Sequence, residues 1–255
     1  MRTLRTLLLA ALTTLAMGSG ASAMADTLKM GMEGAHPPFS DQDDSGNPVG
    51  FDVEIGNALC AKMKVTCEVV TTPLEELIPA LDEHRYDFVI SSLSITDERA
   101  QQVDFTTPYY TNKLQFVGPQ TSSVPADSKV LQQAWQDKRI GAQRGTLAAT
   151  WLAEHWGPTA DIRLYDTIDD AYKELANGNI VAVLADKYVS YEWLKSEVGQ
   201  RFEFKGDPVQ SSDKVGIAVR KNDPLRDRLN AALKEVIEDG TYKKINDKYF
   251  PFSIL

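Results

Sequence analysis

The 255-residue sequence has few cysteines, no excess of positive charge and, beyond its first two dozen residues, no long apolar run. Its two cysteines, Cys60 and Cys67, are too few for a disulfide-stapled scaffold, and their spacing is not the CxxC of thiol exchange. Asp and Glu outnumber Lys and Arg by 36 to 27, a formal charge of -9. That balance argues against nucleic acid, which needs basic patches, and favours solubility with a modest pull on cationic solutes. No later stretch is apolar enough to span a bilayer, so no direct membrane insertion is expected. Clustered metal ligands, a nucleophile elbow, a phosphate loop and clear internal repeats are all lacking. No cofactor, no metal and no catalytic residue are therefore expected. The few histidines point the same way: His84 and His155 sit on polar helical flanks and read as surface residues.

What is present begins with an export signal over residues 1–25. Arg2 and Arg5 precede an apolar stretch, Leu7 to Met17, and small residues follow. Ala21-Ser22-Ala23 and Ala23-Met24-Ala25 are two candidate cleavage sites, so the mature start is Met24 or Asp26. The run is too short for a membrane anchor, and the absence of a nearby cysteine argues against a lipid tether. Loss of Arg2 and Arg5 takes the charge from -9 to -11. In an oxidising compartment one cysteine pair has one intramolecular connectivity, so a Cys60–Cys67 disulfide is expected, tying a helix end to the next strand.

The mature chain alternates strand and helix patterns. Leu28 to Met32 reads as a strand, Asp41 to Gly46 as a hairpin tip, and Phe51 to Lys64 as a helix burying Val53, Ile55, Leu59 and Met63. Val65 to Val70 is a strand; Leu74, Leu77, Ile78 and Leu81 mark a helix. Phe88 to Ile90 is a strand that runs into Ser91, Ser92 and Ser94, with Thr96 capping a short helix that holds Arg99. Asp104 to Gly118 breaks the rhythm as a long aromatic crossing, and Thr121 to Ser128 is a polar loop. A second series follows: helix Val130–Trp135, strand Arg139–Ala142, helix Leu147–Trp156, strand Ile162–Tyr165, helix Ile168–Ala176, strand Ile180–Leu184 and helix Tyr188–Glu197. Val215–Val219 is a late strand, before helices from Asp223-Pro224 and from Tyr242 to Phe250. Trp135, Trp151, Trp156 and Trp193 read as packing residues. Two βα series imply an α/β fold in two lobes, with a cleft suited to a small ligand.

Three strand exits carry complementary groups. Arginine presents a fork of donors that fits a carboxylate, and Arg99 stands beside Ser91 and Ser94 at one exit. Gly145-Thr146 opens a helix, where N–H groups favour an anion. Asp186 ends an apolar strand and suits an ammonium, although a lone acid there is also a common helix cap. Glu33, at the exit of the first strand, suits a second positive charge or is a solvated loop acid. Together they sketch a clamp for an α-amino acid.

The segments EGAHPPF, GFDVEIGNALCAKM with Cys67 after it, LIPAL, YDFVISSLSITDERAQQVDFTTPYY, QRGT, VAVLAD and DGTYKKINDKYF resemble the periplasmic polar amino-acid-binding proteins of ABC importers. The likeness is to solute-binding protein family 3, nearest in pattern to the lysine/arginine/ornithine and histidine binders, and spans essentially the whole mature chain. It implies a type II periplasmic binding protein fold. Each lobe would be a mostly parallel sheet flanked by helices, joined by two crossings near Pro108–Leu114 and Ser212–Val219. The lobes would comprise residues 26–111 with 218–255, and 112–217. It further implies that Arg99 grips an α-carboxylate with the Thr146 N–H and Ser94. Asp186 would take the α-ammonium with Ser91, Ser92 or Ser94 sharing contacts, and Glu33 would meet a distal cation. The cysteine pair matches as well. His36 departs from the pattern, standing where these binders commonly carry a stacking tyrosine; Leu74 stands where relatives carry an aromatic or a leucine. The preference then stays open between arginine, lysine, ornithine, histidine and an opine. The implied role is capture of a polar, basic amino acid by a monomer in the periplasm and delivery to a membrane-embedded ABC permease. The rival readings are an exported cyclohexadienyl dehydratase-like enzyme, with Glu33 and His36 as acid and base, and a soluble ligand sensor for a receptor.

Overall fold

The structure is a computed structural model that describes residues 26–123 and 128–255. The expected leader, and residues 124–127 of the expected polar loop, lie outside the described residues.

The chain begins with β1 (Thr27–Met32), then β2 (Asp41–Gln42) and β3 (Pro48–Val49), which pair as the expected hairpin. Helix α1 (Phe51–Met63) follows at once. Its start depends on Gly50, whose φ of 129° suits glycine and whose place for a Cβ lies 2.2 Å from the Phe39 carbonyl oxygen. Val53, Ile55 and Leu59 bury the inner face of α1. Strand β4 (Thr66–Thr71), a 3₁₀ turn at Leu74–Glu76, α2 (Leu77–Asp82) and β5 (Phe88–Val89) complete the first run. The Cys60–Cys67 disulfide fastens the last turn of α1 to β4, with Cα atoms 6.1 Å apart.

Thr96 caps α3 (Asp97–Gln102), its hydroxyl accepting the Arg99 N–H at 3.2 Å. Strands β6 (Val103–Phe105) and β7 (Tyr110–Pro119) carry the chain into a second run. That run comprises α4 (Ser128–Ala134), β8 (Arg139–Gln143), α5 (Leu147–Trp156), β9 (Asp161–Tyr165), α6 (Ile168–Ala176), β10 (Ala182–Asp186) and α7 (Lys187–Leu194). After a short 3₁₀ turn, β11 (Phe202–Val215) runs back along β7, and β12 (Ala218–Arg220), α8 (Leu225–Glu238) and α9 (Thr241–Tyr249) return to the first unit.

Two five-stranded sheets result, in the orders β4-β1-β5-β12-β6 and β11-β7-β10-β8-β9. Each combines parallel and antiparallel pairs, so the expectation of mostly parallel sheets needs correcting. β1 is parallel to β4 and β5, and β8 to β9 and β10, as helical crossovers dictate. β12, however, lies antiparallel to β5 and β6, and β7 antiparallel to β10 and β11. The cause is the connection: the chain leaves one sheet through β6 and β7 and returns through β11 and β12, with no crossover helix to reverse it. The expected strand Val215–Val219 is accordingly divided, since β11 ends at Val215 and β12 begins at Ala218.

The C-terminal segment ties in beside the crossing. The Thr111 N–H donates to the Ile254 carbonyl at 2.9 Å, and Phe252 packs against Tyr188 and Tyr191 of α7. Trp135 and Trp156 are buried around Phe116 in the second unit; Trp193 stacks on Tyr172 at 4.3 Å and also lines a separate cavity of about 340 Å³ with Pro37 and Asp169, away from Arg99 and Glu33. His84 and His155 are exposed, as read from the sequence.

Candidate functional site

The carboxyl ends of β1, β5, β8 and β10 face one another across the gap between the sheets. At the end of β5, Ser92 adopts a left-handed backbone, φ 51°, which turns its N–H to the Tyr109 hydroxyl at 3.2 Å. Its own hydroxyl donates to Asp52 at 2.9 Å, and the Tyr109 hydroxyl donates to the same carboxylate at 2.7 Å. Ser91 is committed as well, its hydroxyl accepting the Glu33 N–H at 2.9 Å. The Ser94 hydroxyl donates to Asp213 on β11 at 2.9 Å. The serine hydroxyls of this turn thus hold the protein's own groups in place.

Arg99 reaches from α3 across the gap. Its guanidinium donates to the Ser94 carbonyl at 3.0 Å and to the Gly145 carbonyl, in the opposite unit, at 2.9 Å. Gly145 turns the chain into α5 with φ 72°, a backbone that glycine adopts freely. Thr146 caps α5: its hydroxyl accepts the Ala149 N–H and donates to the Gln143 carbonyl. Asp186 precedes α7, but its side chain makes no cap bond. It turns instead towards His36, with Oδ2 3.4 Å from Nε2. His36, 8% exposed, also lies near Glu33, its Nδ1 3.9 Å from Oε2. Glu33 in turn accepts a hydrogen bond from the Gln143 amide of β8, and that amide also donates to the Asp166 carbonyl at 3.2 Å.

The site is electrostatically continuous. Burial raises the Glu33 carboxyl, with His36 and Gln143 partly offsetting that and Asp186 adding to it. Burial would lower His36, but the Asp186 hydrogen bond and the charges of Glu33, Asp186 and Asp52 outweigh it and leave the imidazole raised. Asp213 is pushed up to about 7, by burial and then by the neighbouring Asp186 charge, against the help of Ser94, Asn112 and Arg99. Burial lowers Arg99, while Asp213 and Asp186 support its charge. Asp52 is raised to about 6 by burial, despite its bonds to Tyr109 and Ser92.

Two cavities flank this network. One of about 530 Å³ is lined by Arg99, Thr146 and Leu74; another of about 500 Å³ by Glu33, Thr72, Arg144 and Leu74. Glu33, His36, Arg99, Asp186 and the Gly145-Thr146 turn therefore converge, with Leu74 between the two openings. Ser91 and Ser92 stand in the same place with their hydroxyls engaged elsewhere. Asp213, Gln143 and Asp52 belong to the network but were not singled out from sequence. Gln143 opens the QRGT motif and Asp52 lies in the opening GFD of GFDVEIGNALCAKM, so both could have been found from those motifs; Asp213 carries no local signal.

The described residues include no cluster of three or more His, Cys, Asp or Glu side chains placed to hold a metal ion. The L-arginine-binding protein of Pseudomonas aeruginosa is 38% identical over 235 residues, covering 89% of this chain and 89% of that protein. ABC transporter arginine-binding protein 1 of Escherichia coli is 38% identical over 236 residues, covering 91% and 93%. The solved structure of an ancestral arginine-binding protein bound to arginine superposes with a TM-score of 0.81 at 32% identity, over 89% of this chain and 99% of that one. The family pattern itself matches residues 28–252. The chain belongs to the bacterial extracellular solute-binding proteins, family 3.

Proposed function

We propose that this solute-binding protein captures a basic L-amino acid, arginine foremost, between its two lobes and presents it to a membrane-embedded ABC permease. In this reading Arg99 holds the α-carboxylate, Asp186 the α-ammonium, and Glu33 with Gln143 the distal cation. Leu74 and the Gly145-Thr146 turn wall the cleft. The observation that carries it is the order of charges along the site. One guanidinium, Arg99, lies beside Asp186 and Asp213, while a separate buried acid, Glu33, lies beyond His36. A zwitterion with a positive side chain matches that order end to end. The names of the two curated relatives and of the arginine-bound structure point to the same solute. The chain acts as a monomer exported to the periplasm by its leader. Residues 26–111 with 218–255 form one lobe, and 112–217 the other. A ligand that touches both lobes favours their closed arrangement by its differential affinity for it.

The test is a calorimetric panel of arginine, lysine, ornithine, histidine, glutamine and an opine on wild type and Glu33→Gln. Basic amino acids should bind best, and Glu33→Gln should weaken arginine and lysine at least tenfold more than glutamine. Equal losses across the panel would remove Glu33 from the distal role. Binding confined to the opine would replace the solute.

A further inference from the structure

His36 lies between the two acids that would meet the ligand's two positive groups. Its Nε2 is 3.4 Å from Asp186 Oδ2, on one side of the gap, and its Nδ1 is 3.9 Å from Glu33 Oε2, on the other. The ring is almost fully buried, and Nδ1 has no hydrogen-bond partner. A neutral imidazole offers a single N–H, and so can serve only one of two flanking carboxylates as a donor. An imidazolium presents an N–H to each.

We infer that His36 is a specificity-determining residue whose imidazolium acts as a built-in stand-in for the ligand's cation, so that taking up a basic amino acid expels one proton from the site. The inference rests on the amino-acid reading above.

The charged groups facing the ring all favour its protonated form. Glu33 is on its own loop, Asp186 precedes α7, Asp52 is at the start of α1, and Asp169 is in the first turn of α6. Asp213 acts indirectly, through its coupling to Asp186. Arg99, which also feels the Asp186 charge, is engaged with the Ser94 and Gly145 carbonyls. Phe39, whose ring centroid is 6.1 Å away, contributes no charge. An arriving α-ammonium neutralises Asp186, and a distal guanidinium or ammonium neutralises Glu33. The ring then faces cations where it faced anions, and its proton leaves for the solvent. A neutral side chain replaces only the first of these partners, so it expels less. Proton release on binding means that affinity rises with pH. Uptake would tighten towards neutral pH and loosen in acid, by up to about tenfold per pH unit while His36 titrates.

The experiment is calorimetry of arginine and glutamine binding between pH 5.5 and 8, in buffers of differing ionisation enthalpy, which counts protons directly. It is run on wild type, His36→Tyr and His36→Gln, each checked for folding by circular dichroism. Wild type should release close to one proton per arginine at the acid end and fewer per glutamine. Both variants should release far fewer, with a flatter dependence of Kd on pH. The readout is the proton count and slope, which a merely structural role for His36 would not move. Equal counts for arginine in wild type and both variants would overturn the inference while leaving the solute intact. No binding of any amino acid would overturn the solute reading, and this inference with it.

Discussion

Ser94 donates its hydroxyl to Asp213 at 2.9 Å, joining the turn after β5 to the second crossing strand, and its carbonyl accepts from the Arg99 guanidinium. One residue thereby links the arginine, the turn and the route between the lobes. Asn112, on the first crossing strand, adds a longer bond of 3.4 Å to the same carboxylate. Asp213→Ala leaves these buried donors without an acceptor, at about 1–3 kcal/mol for each group stranded. Asp213→Asn keeps an acceptor oxygen and should lose less. Urea unfolding of the two variants at one pH checks this; an alanine variant as stable as wild type would contradict it.

The Arg99 guanidinium is fixed by one carbonyl from each side of the gap, and in the proposed role its remaining donors face the carboxylate. Arg99→Ala should cost about 2–5 kcal/mol of binding, a loss of roughly 30-fold or more for every amino acid in the panel. Arg99→Lys keeps the charge but not the planar fork, and should recover only part of the loss. Calorimetry showing unchanged affinity in the alanine variant would refute the carboxylate role.

Much of this arrangement was legible because its causes are local. Thr96, Thr146 and Thr167 each cap a helix by accepting an N–H three residues on, and those helices start where the sequence says. Strand exits show as polar residues after apolar runs, which exposed Glu33, Arg99 and Asp186. Only the end of β11 was legible, as the crossing expected near Ser212–Val219; its first part was not. Its Gly206-Asp207-Pro208 reads as a turn, yet the strand absorbs it through register shifts between Lys205 and Gln210, where the Gly206 carbonyl accepts from Gln115. Nor was Asp213, or the buried partner of Asp52: their bonds to Ser94 and Ser92 span 119 and 40 residues. Nothing in a local window distinguishes a carboxylate that will be buried against a distant serine from one that will be solvated.

The disulfide gives a prediction independent of the ligand. It closes a short loop, the sequence separation of its cysteines being 7, and fixes α1 against β4. Restricting so short a loop in the unfolded chain is worth about 2–3 kcal/mol. Replacing both Cys60 and Cys67 by alanine should lower unfolding free energy by that order, with arginine affinity little changed because neither residue lines the cleft cavities. Denaturation and calorimetry on the double variant measure both. A loss of affinity without a loss of stability would mean that the helix–strand link shapes the site rather than the fold.

The buried acids set how the unliganded protein responds to pH. Asp52 is raised to about 6 and Asp213 to about 7, each chiefly by burial. Between the ordinary aspartate range and those values, the folded state holds protons that the unfolded chain has released. Stability therefore falls as pH rises through that window. His36, raised on balance, acts in the same direction, since its contribution is lost as pH climbs through its folded value. The exposed Asp43 and the half-buried Asp104 are lowered by their hydrogen bonds, and the stability they give is lost only as pH falls below about 4. The melting temperature without ligand should accordingly be highest near pH 4–5 and decline towards pH 7. Asp52→Asn removes one titrating group but keeps only one acceptor oxygen for two hydroxyls, Tyr109 and Ser92, that bond to different carboxylate oxygens, so its melting temperature should be lower throughout while its decline from pH 4 to 6 is shallower. Parallel melting curves for variant and wild type across that range would show that Asp52 does not carry the effect.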